Sequence, residues 1–363
     1  MTIPKLKIGN YTADIPIVQG GMGVRVSLSS LAAAVANEGG IGTLSSIALG
    51  GVNASGKEYE KISRELLKEE IRRAKSLTSG HLAVNVMNVL SNASDLVKTS
   101  VQEGIKFIVM GAGLPMKLPS IVEDKNINLI PIVSSARAAS LILRTWDNRF
   151  NRIPSAFILE GPLAGGHLGF SSDQLEHIEE YSLEILLPSV LQAVKLYEDK
   201  YGAKIPIIVG GGIYDGNDIA RMLSLGASGV QMGTRFVCTE ESSVSAAFKQ
   251  AYINAKEEDI VIVKSPVGLL GRAIRNRFLK NLESGEKIKI KCRYKCLSAC
   301  QVVNAKYCIA KALFNSYIGD VDNGLIFCGK NAFRIDKITT VKELFKELID
   351  DLSNALGPEL KPA

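Results

Sequence analysis

Eight short apolar runs mark the first 255 residues, and stretches of helical pattern follow seven of them. The runs fall at 15–19, 41–45, 81–85, 107–110, 129–133, 156–159, 206–209 and 229–231. They are continuous rather than alternating, as strands covered on both faces of a parallel sheet must be. Helical patterns at 28–37, 63–77, 93–102, 135–144, 190–201, 218–225 and 243–255 would supply the cover. Eight such units in this length predict an α/β fold closed into a (β/α)8 TIM barrel, with an open doubly wound sheet as the alternative. The rhythm changes after residue 256. Residues 1–255 are therefore expected to be the barrel and 256–363 a C-terminal helical, cysteine-containing extension. That extension holds one further candidate strand at 260–263 and an amphipathic terminal helix at 340–356.

Composition narrows the class. Apolar residues make up 46% and charged residues 22%, which fits a globular protein with a large core. No window approaches the roughly 18 uninterrupted apolar residues of a membrane span. The first residues lack the apolar segment of a signal peptide, so a cytoplasmic location and no membrane partner are expected. The net charge of +6 is mild, and the excess lies mainly between Lys264 and Lys306. Without aromatic interleaving or a known motif it does not imply nucleic acid. It fits an anionic small-molecule substrate or cofactor, or an acidic carrier or electron-transfer protein. A homo-oligomer is compatible with the sequence, which does not set its size.

The segment Ile158-Leu-Glu-Gly-Pro-Leu-Ala-Gly-Gly-His-Leu-Gly-Phe170 carries the first candidate site. An apolar strand there opens into a turn with Glu160, four glycines and His167, at the strand end where α/β folds place their chemistry. Gly165 and Gly166 leave room for a flat ligand beside the imidazole. A lone loop histidine without a role is the alternative. Two further glycine loops, Gly210-Gly211-Gly212 after the seventh run and Gln231-Met232-Gly233-Thr234 after the eighth, would be neighbours in a barrel. Exposed backbone N–H groups there suit a phosphate, and Thr234 adds a hydroxyl; tight packing turns are the rival explanation. Gln19, Gly20, Gly21 and Met22 follow the first run, Asn85 ends the third and Gly111 ends the fourth. Glycines for close approach and amides for a polar edge are what an isoalloxazine ring requires.

With these motifs the chain resembles the nitronate monooxygenase (2-nitropropane dioxygenase) family, which includes FMN-dependent type II enoyl-acyl-carrier-protein reductases. The resemblance rests on Pro16-Ile-Val-Gln-Gly-Gly-Met22, Glu160-Gly-Pro-Leu-Ala-Gly-Gly-His-Leu-Gly169, Gly211-Gly-Ile213 and Gly226-Ala-Ser-Gly-Val-Gln-Met-Gly-Thr-Arg-Phe236. It implies a TIM barrel with FMN, the phosphate on Gly211, Gly212, Gly233 and Thr234, and His167 over the flavin. Gly21, Met22, Asn85 and Gln231 would then contact the ring. The expected activity is oxidation of alkyl nitronates with O2, His167 acting as base or as donor to the nitro group. The alternative activity is an NAD(P)H-dependent enoyl-thioester reductase. Leu168-Gly169-Phe170 departs from the Arg-Gly associated with nitronate enzymes. A third possibility, of another class, is a non-catalytic flavin-binding regulator.

Outside the resemblance stand Cys292, Cys296, Cys300 and Cys308, four of six cysteines within 17 residues. Thiolates at this density suit an iron–sulfur cluster or, less well, zinc; the alternative is reduced cysteines packed as small hydrophobes. One straight helix cannot bring Cys292 and Cys300 to one ion, since eight residues rise about 12 Å. Irregular backbone is expected there. The run Arg272-Ala-Ile-Arg275-Asn-Arg277 reads as a solvated helix face or a docking surface for an acidic carrier.

Overall fold

The computed structural model describes residues 3–286, 288–298 and 300–356. An antiparallel hairpin comes first, β1 (Leu6–Ile8) and β2 (Tyr11–Ala13). Leu6 and Ile8 are buried among Val18, Ala83, Phe107 and Ile158, residues that point inside the barrel. His81, which begins a barrel strand, bonds the Thr12 carbonyl through Nε2 at 2.9 Å. The hairpin thus plugs the barrel at the amino ends of its strands, a feature the sequence pattern did not reveal.

The strands follow as β3 (Ile17–Gln19), β4 (Ile41–Ser45), β5 (His81–Met87), β6 (Phe107–Gly111), β7 (Asn128–Val133) and β8 (Phe157–Glu160). A short strand outside the barrel, β9 (Gly166–Leu168), precedes β10 (Ile207–Gly210) and β11 (Gly229–Met232). Strands β3 to β8, β10 and β11 close a parallel barrel, β10 pairing with both β8 and β11, and β11 with β3. It is the TIM barrel expected from the alternation. Burial on both faces explains the continuous apolar runs. Val18, Ala83, Val109, Ile130, Ile158 and Ile208 fill the interior, while Ile17, Val84, Ile108, Leu129, Phe157 and Val209 pack under the outer helices.

The outer layer departs from the expected register at one position. Only the short helix Thr234–Val237 follows β11 directly. The helix expected there, observed as Ala246–Ile253, instead buries Phe248 and Tyr252 against Val26, Val237, Ile274 and Ile326. The place beside helices Gly216–Ser224 and Ser29–Asn37 is taken by the chain's last described helix, Val341–Leu356, with Leu344, Phe345, Leu348 and Leu352 fully buried.

Two further strands, β12 (Ile260–Lys264) and β13 (Leu270–Ile274), form a hairpin whose second strand pairs antiparallel with β9. The basic run is therefore not a solvated helix face. Arg272 lies in β13, is 4% exposed, and its guanidinium donates to the Ala164 carbonyl. Arg275 pairs with Glu283 and Arg277 with Asp322, both outside the sheet. Among the described residues no helix is long and apolar enough to cross a membrane.

Candidate active site

The carboxyl ends of the barrel strands open into a cavity of about 260 Å³. Gly20, Gly21 and Met22 line it from the loop after β3, Asn85 from β5 and Gly111 from the end of β6. Glu160 enters from the end of β8, Gly165, Gly166 and His167 from the following loop and β9. Gly211 and Gly212 follow β10; Gln231, Gly233 and Thr234 come from β11 and just beyond it. The structure thus brings nearly every candidate residue to one wall-to-wall site. Gln19 is the correction. It is fully buried behind the wall, its Oε1 accepting from Thr43 N at 3.0 Å and its Nε2 donating to Ser27 Oγ at 2.7 Å. With its amide satisfied inside the protein, it ties the ends of β3 and β4 together and offers nothing to a ligand.

The glycines are required by space. A Cβ on Gly21 would collide with the Asn85 side chain, and one on Gly165 would lie 2.6 Å from the Cys328 carbonyl carbon. Gly211 and Gly212 have φ of +101° and +90°, in the left-handed region where other residues are strained. Their N–H groups and the Thr234 hydroxyl line the same part of the cavity. Thr234 Oγ1 accepts from Gly329 N at 2.9 Å, which leaves its own proton to donate.

Asn85 carries the most telling polar atom. Its Nδ2 donates to the Gly21 carbonyl at 2.8 Å, whereas its buried Oδ1 has no partner among the described residues. A buried acceptor left without a donor is costly, so this atom fits a ligand N–H.

The histidine-bearing segment is held from outside the barrel. The sequence implied a glycine-rich turn; the structure makes Gly166–Leu168 a strand, with His167 opposite Gly271 of β13. Gly166 takes φ of +73° there, and pairing with β13 supplies the order that its own sequence does not. His167 Nε2 lies 2.9 Å from Ser265 Oγ in the β12–β13 turn, and its ring meets Phe327 edge-on at 5.2 Å. Burial lowers the imidazole pKa to about 4, so the ring is neutral at physiological pH. Burial likewise raises the Glu160 carboxyl to about 7. His81 and His177 lie elsewhere, the first at the plug and the second at a helix end.

Sequence reading missed the cavity's outer wall: Tyr252, Leu313, Phe327, Cys328 and Gly329, with Ser265 behind His167. Asn331 Nδ2 donates to the Gly212 carbonyl at 2.8 Å and clamps the same wall onto the loop after β10. The available signal was the apolar Leu325-Ile-Phe-Cys328 ending in Gly329, a strand-end pattern like those of the barrel.

The four clustered cysteines lie apart, around a second cavity of about 770 Å³. As expected, the described backbone at 288–298 and 300–308 is irregular, and all four thiols are free. Burial first, then the charge of Cys308, Cys292 and Cys300, pushes the Cys296 thiol up to about 12. Among the described residues no three His, Cys, Asp or Glu side chains converge on a single metal ion. Neither the iron–sulfur nor the zinc reading finds a formed ligand set among the described residues.

A parallel barrel with a glycine-lined cavity at its strand ends and a buried neutral histidine defines a TIM-barrel enzyme site. The profile described as nitronate monooxygenase matches residues 5–351, and the chain belongs to that family. It is an oxidoreductase. A Mycobacterium tuberculosis relative, (3aS,4S,5R,7aS)-5-hydroxy-7a-methyl-1-oxo-octahydro-1H-indene-4-carboxyl-CoA dehydrogenase, is 30% identical over 274 residues, 76% of this chain and 67% of the relative. A Staphylococcus aureus protein described as a probable nitronate monooxygenase is 28% identical over 302 residues, 75% of this chain and 79% of the relative. Among solved structures, FabK from Thermotoga maritima superposes with a TM-score of 0.73 at 27% identity, covering 95% of this chain and 94% of that one.

Proposed function

We propose that the cavity binds FMN and that the enzyme oxidises alkyl nitronates with O2. The observation that carries the flavin assignment is the unpartnered Asn85 Oδ1 at a cavity lined by Gly20, Gly21, Gly165, Gly166, Gly211 and Gly212. Gly211, Gly212, Gly233 and Thr234 would hold the phosphate, while Gly21, Met22, Asn85 and Gln231 would meet the ring. Bound FMN would supply the electron acceptor.

The protein's own part lies with His167. Ser265 occupies Nε2, which leaves Nδ1 without a hydrogen bond to any described residue. If Ser265 donates to Nε2, Nδ1 carries the ring's proton and donates to an anionic oxygen. If Nε2–H donates to Ser265, Nδ1 is the lone-pair nitrogen and acts as base. Phe327 and Leu313 exclude water from the same space.

The second reading is an NAD(P)H-dependent enoyl-thioester reductase. It draws on the M. tuberculosis relative, whose name carries a carboxyl-CoA group. Anaerobic stopped-flow mixing separates the two. Bleaching of the flavin by propionate 3-nitronate and not by NADH or NADPH supports the nitronate reading. Bleaching by a nicotinamide alone replaces it with the reductase.

A further inference from the structure

The first part of the cysteine-rich stretch, Arg293 to Ser298, is tied to the barrel. Arg293 Nη1 donates to the Asn53 carbonyl at 3.2 Å, and the Tyr294 hydroxyl donates to Glu60 Oε1 at 3.2 Å. The Tyr294 ring stacks on Tyr59 with centroids 4.0 Å apart. Ser91 N donates to the Cys296 carbonyl at 3.0 Å, Ser298 N donates to the Val89 carbonyl at 2.9 Å, and Leu297 bridges to Leu90. This anchoring holds Cys296 in place where the described backbone forms no helix or regular strand, and all four cysteines line one cavity.

The surroundings suit an anionic inorganic group held by thiolates. Lys289, Lys291, Arg293, Lys295 and Lys311 line the same cavity, against two acidic residues, Glu286 and Asp320. Cys308 is the N-cap of the ten-residue helix Ile309–Ile318 and so stands at the positive end of that helix dipole, which suits an anionic group. Four cysteines line one void, and a group larger than a single ion is needed to reach them all. In a cubane each thiolate binds a different iron, so the four sulfurs stand farther apart than the ligands of one ion.

We propose that Cys292, Cys296, Cys300 and Cys308 bind a cubane iron–sulfur cluster in the cavity they line. Each thiol gives its proton to solvent as its sulfur bonds to iron; from four ferric ions and four sulfides, an added dithiol reductant supplies the two electrons that leave two ferric and two ferrous ions in the cubane. The cluster would sit across one helix from the flavin cavity. Helix Ile309–Ile318 presents Ile309, Ala312 and Asn315 to the cysteine cavity and Leu313 to the other.

The test is anaerobic reconstitution of the whole chain with ferric iron, sulfide and dithiothreitol, followed by desalting and metal and acid-labile sulfide analysis. About four iron and about four sulfide per chain, with a broad absorbance that dithionite bleaches, are expected. Cys292→Ser, at an exposed position that leaves the core intact, should lose more than half of that iron while keeping the wild-type melting temperature. Cluster binding should also protect all four thiols from iodoacetamide, as read by peptide mass spectrometry. Any of three results overturns the proposal: zinc bound without sulfide, about two iron per chain, or four thiols alkylated at the rate of untreated protein.

Discussion

His167 works under two constraints that pull in one direction. Burial favours the neutral ring, and Ser265 fixes that ring through Nε2. Replacing His167 with Ala should leave FMN bound, since the phosphate loops lie on other strands, and lower turnover about 10²- to 10⁴-fold, as for loss of a positioned acid or base. Ser265→Ala removes one hydrogen bond, worth about 1 kcal/mol, so a loss of about fivefold in kcat with unchanged flavin content is expected. Steady-state kinetics beside the flavin spectrum checks both; retention of full turnover by His167→Ala would remove the residue from the mechanism. Glu160 answers to pH with the opposite sign. Its folded pKa of about 7 lies above the ordinary 4.5, so its contribution to stability is full below pH 4.5 and lost as pH rises through about 7. For His167, lowered from 6.5 to about 4, stability is full above pH 6.5 and declines as pH falls toward 4. Glu160→Gln should therefore melt with the wild type at pH 4.5 and increasingly above it as pH rises to about 7, with the difference constant beyond. Parallel melting curves across that range would place the carboxyl in water instead.

At the scale of single elements, the loops after β10 and β11 are the sharpest test of the phosphate assignment. Gly212 has φ of +90°, and a Cβ there would lie 2.9 Å from Leu163 Cδ1. Gly212→Asp adds strain, bulk and a carboxylate where an anion is to sit, so the variant should purify without flavin. Full FMN occupancy in that variant would move the phosphate elsewhere. These loops were legible in the sequence because a strand that ends in glycines leaves a local mark. All eight barrel strands were legible for a similar reason: burial on both faces writes itself as an unbroken apolar run, from Ile41–Ser45 to Gly229–Met232. Strand β9 was not, since two of the four residues Gly165 to Leu168 are glycines and the order comes from β13, about a hundred residues away. Arg272 was misread on the same ground. Its charge suggested solvent, but the Ala164 carbonyl and the surrounding sheet accept it in the interior. Ser265 left no trace at all, because it acts through one long-range hydrogen bond.

Across the whole molecule, the segment from 238 to 340 stands between β11 and the helix that covers it, and this one excursion builds much of the site. It carries Tyr252, Ser265, Leu313, Phe327 and Gly329 to the cavity before the chain returns as Val341–Leu356. The return is locked into the barrel. Phe345 is fully buried, its ring 6.0 Å from that of Phe236, and it also meets the position where Gly40 would bear a Cβ. Gly216 has no room for a side chain against the backbone of Leu348 and Leu352. The Arg235 guanidinium reaches Glu347 at 2.8 Å and stacks 4.3 Å from the Tyr214 ring, joining that helix to the loop after β10. Barrel and C-terminal chain should then unfold together. Phe345→Ala, far from the cavity, should cost about 3–5 kcal/mol as a large-to-small core change. Because the last helix closes the outer layer and the chain before it walls the cavity, flavin release and loss of helicity should move down in temperature as one transition. Calorimetry alongside flavin fluorescence reads this directly. Two separated transitions, with flavin retained through the first, would mean that the C-terminal chain melts off a barrel able to stand without it.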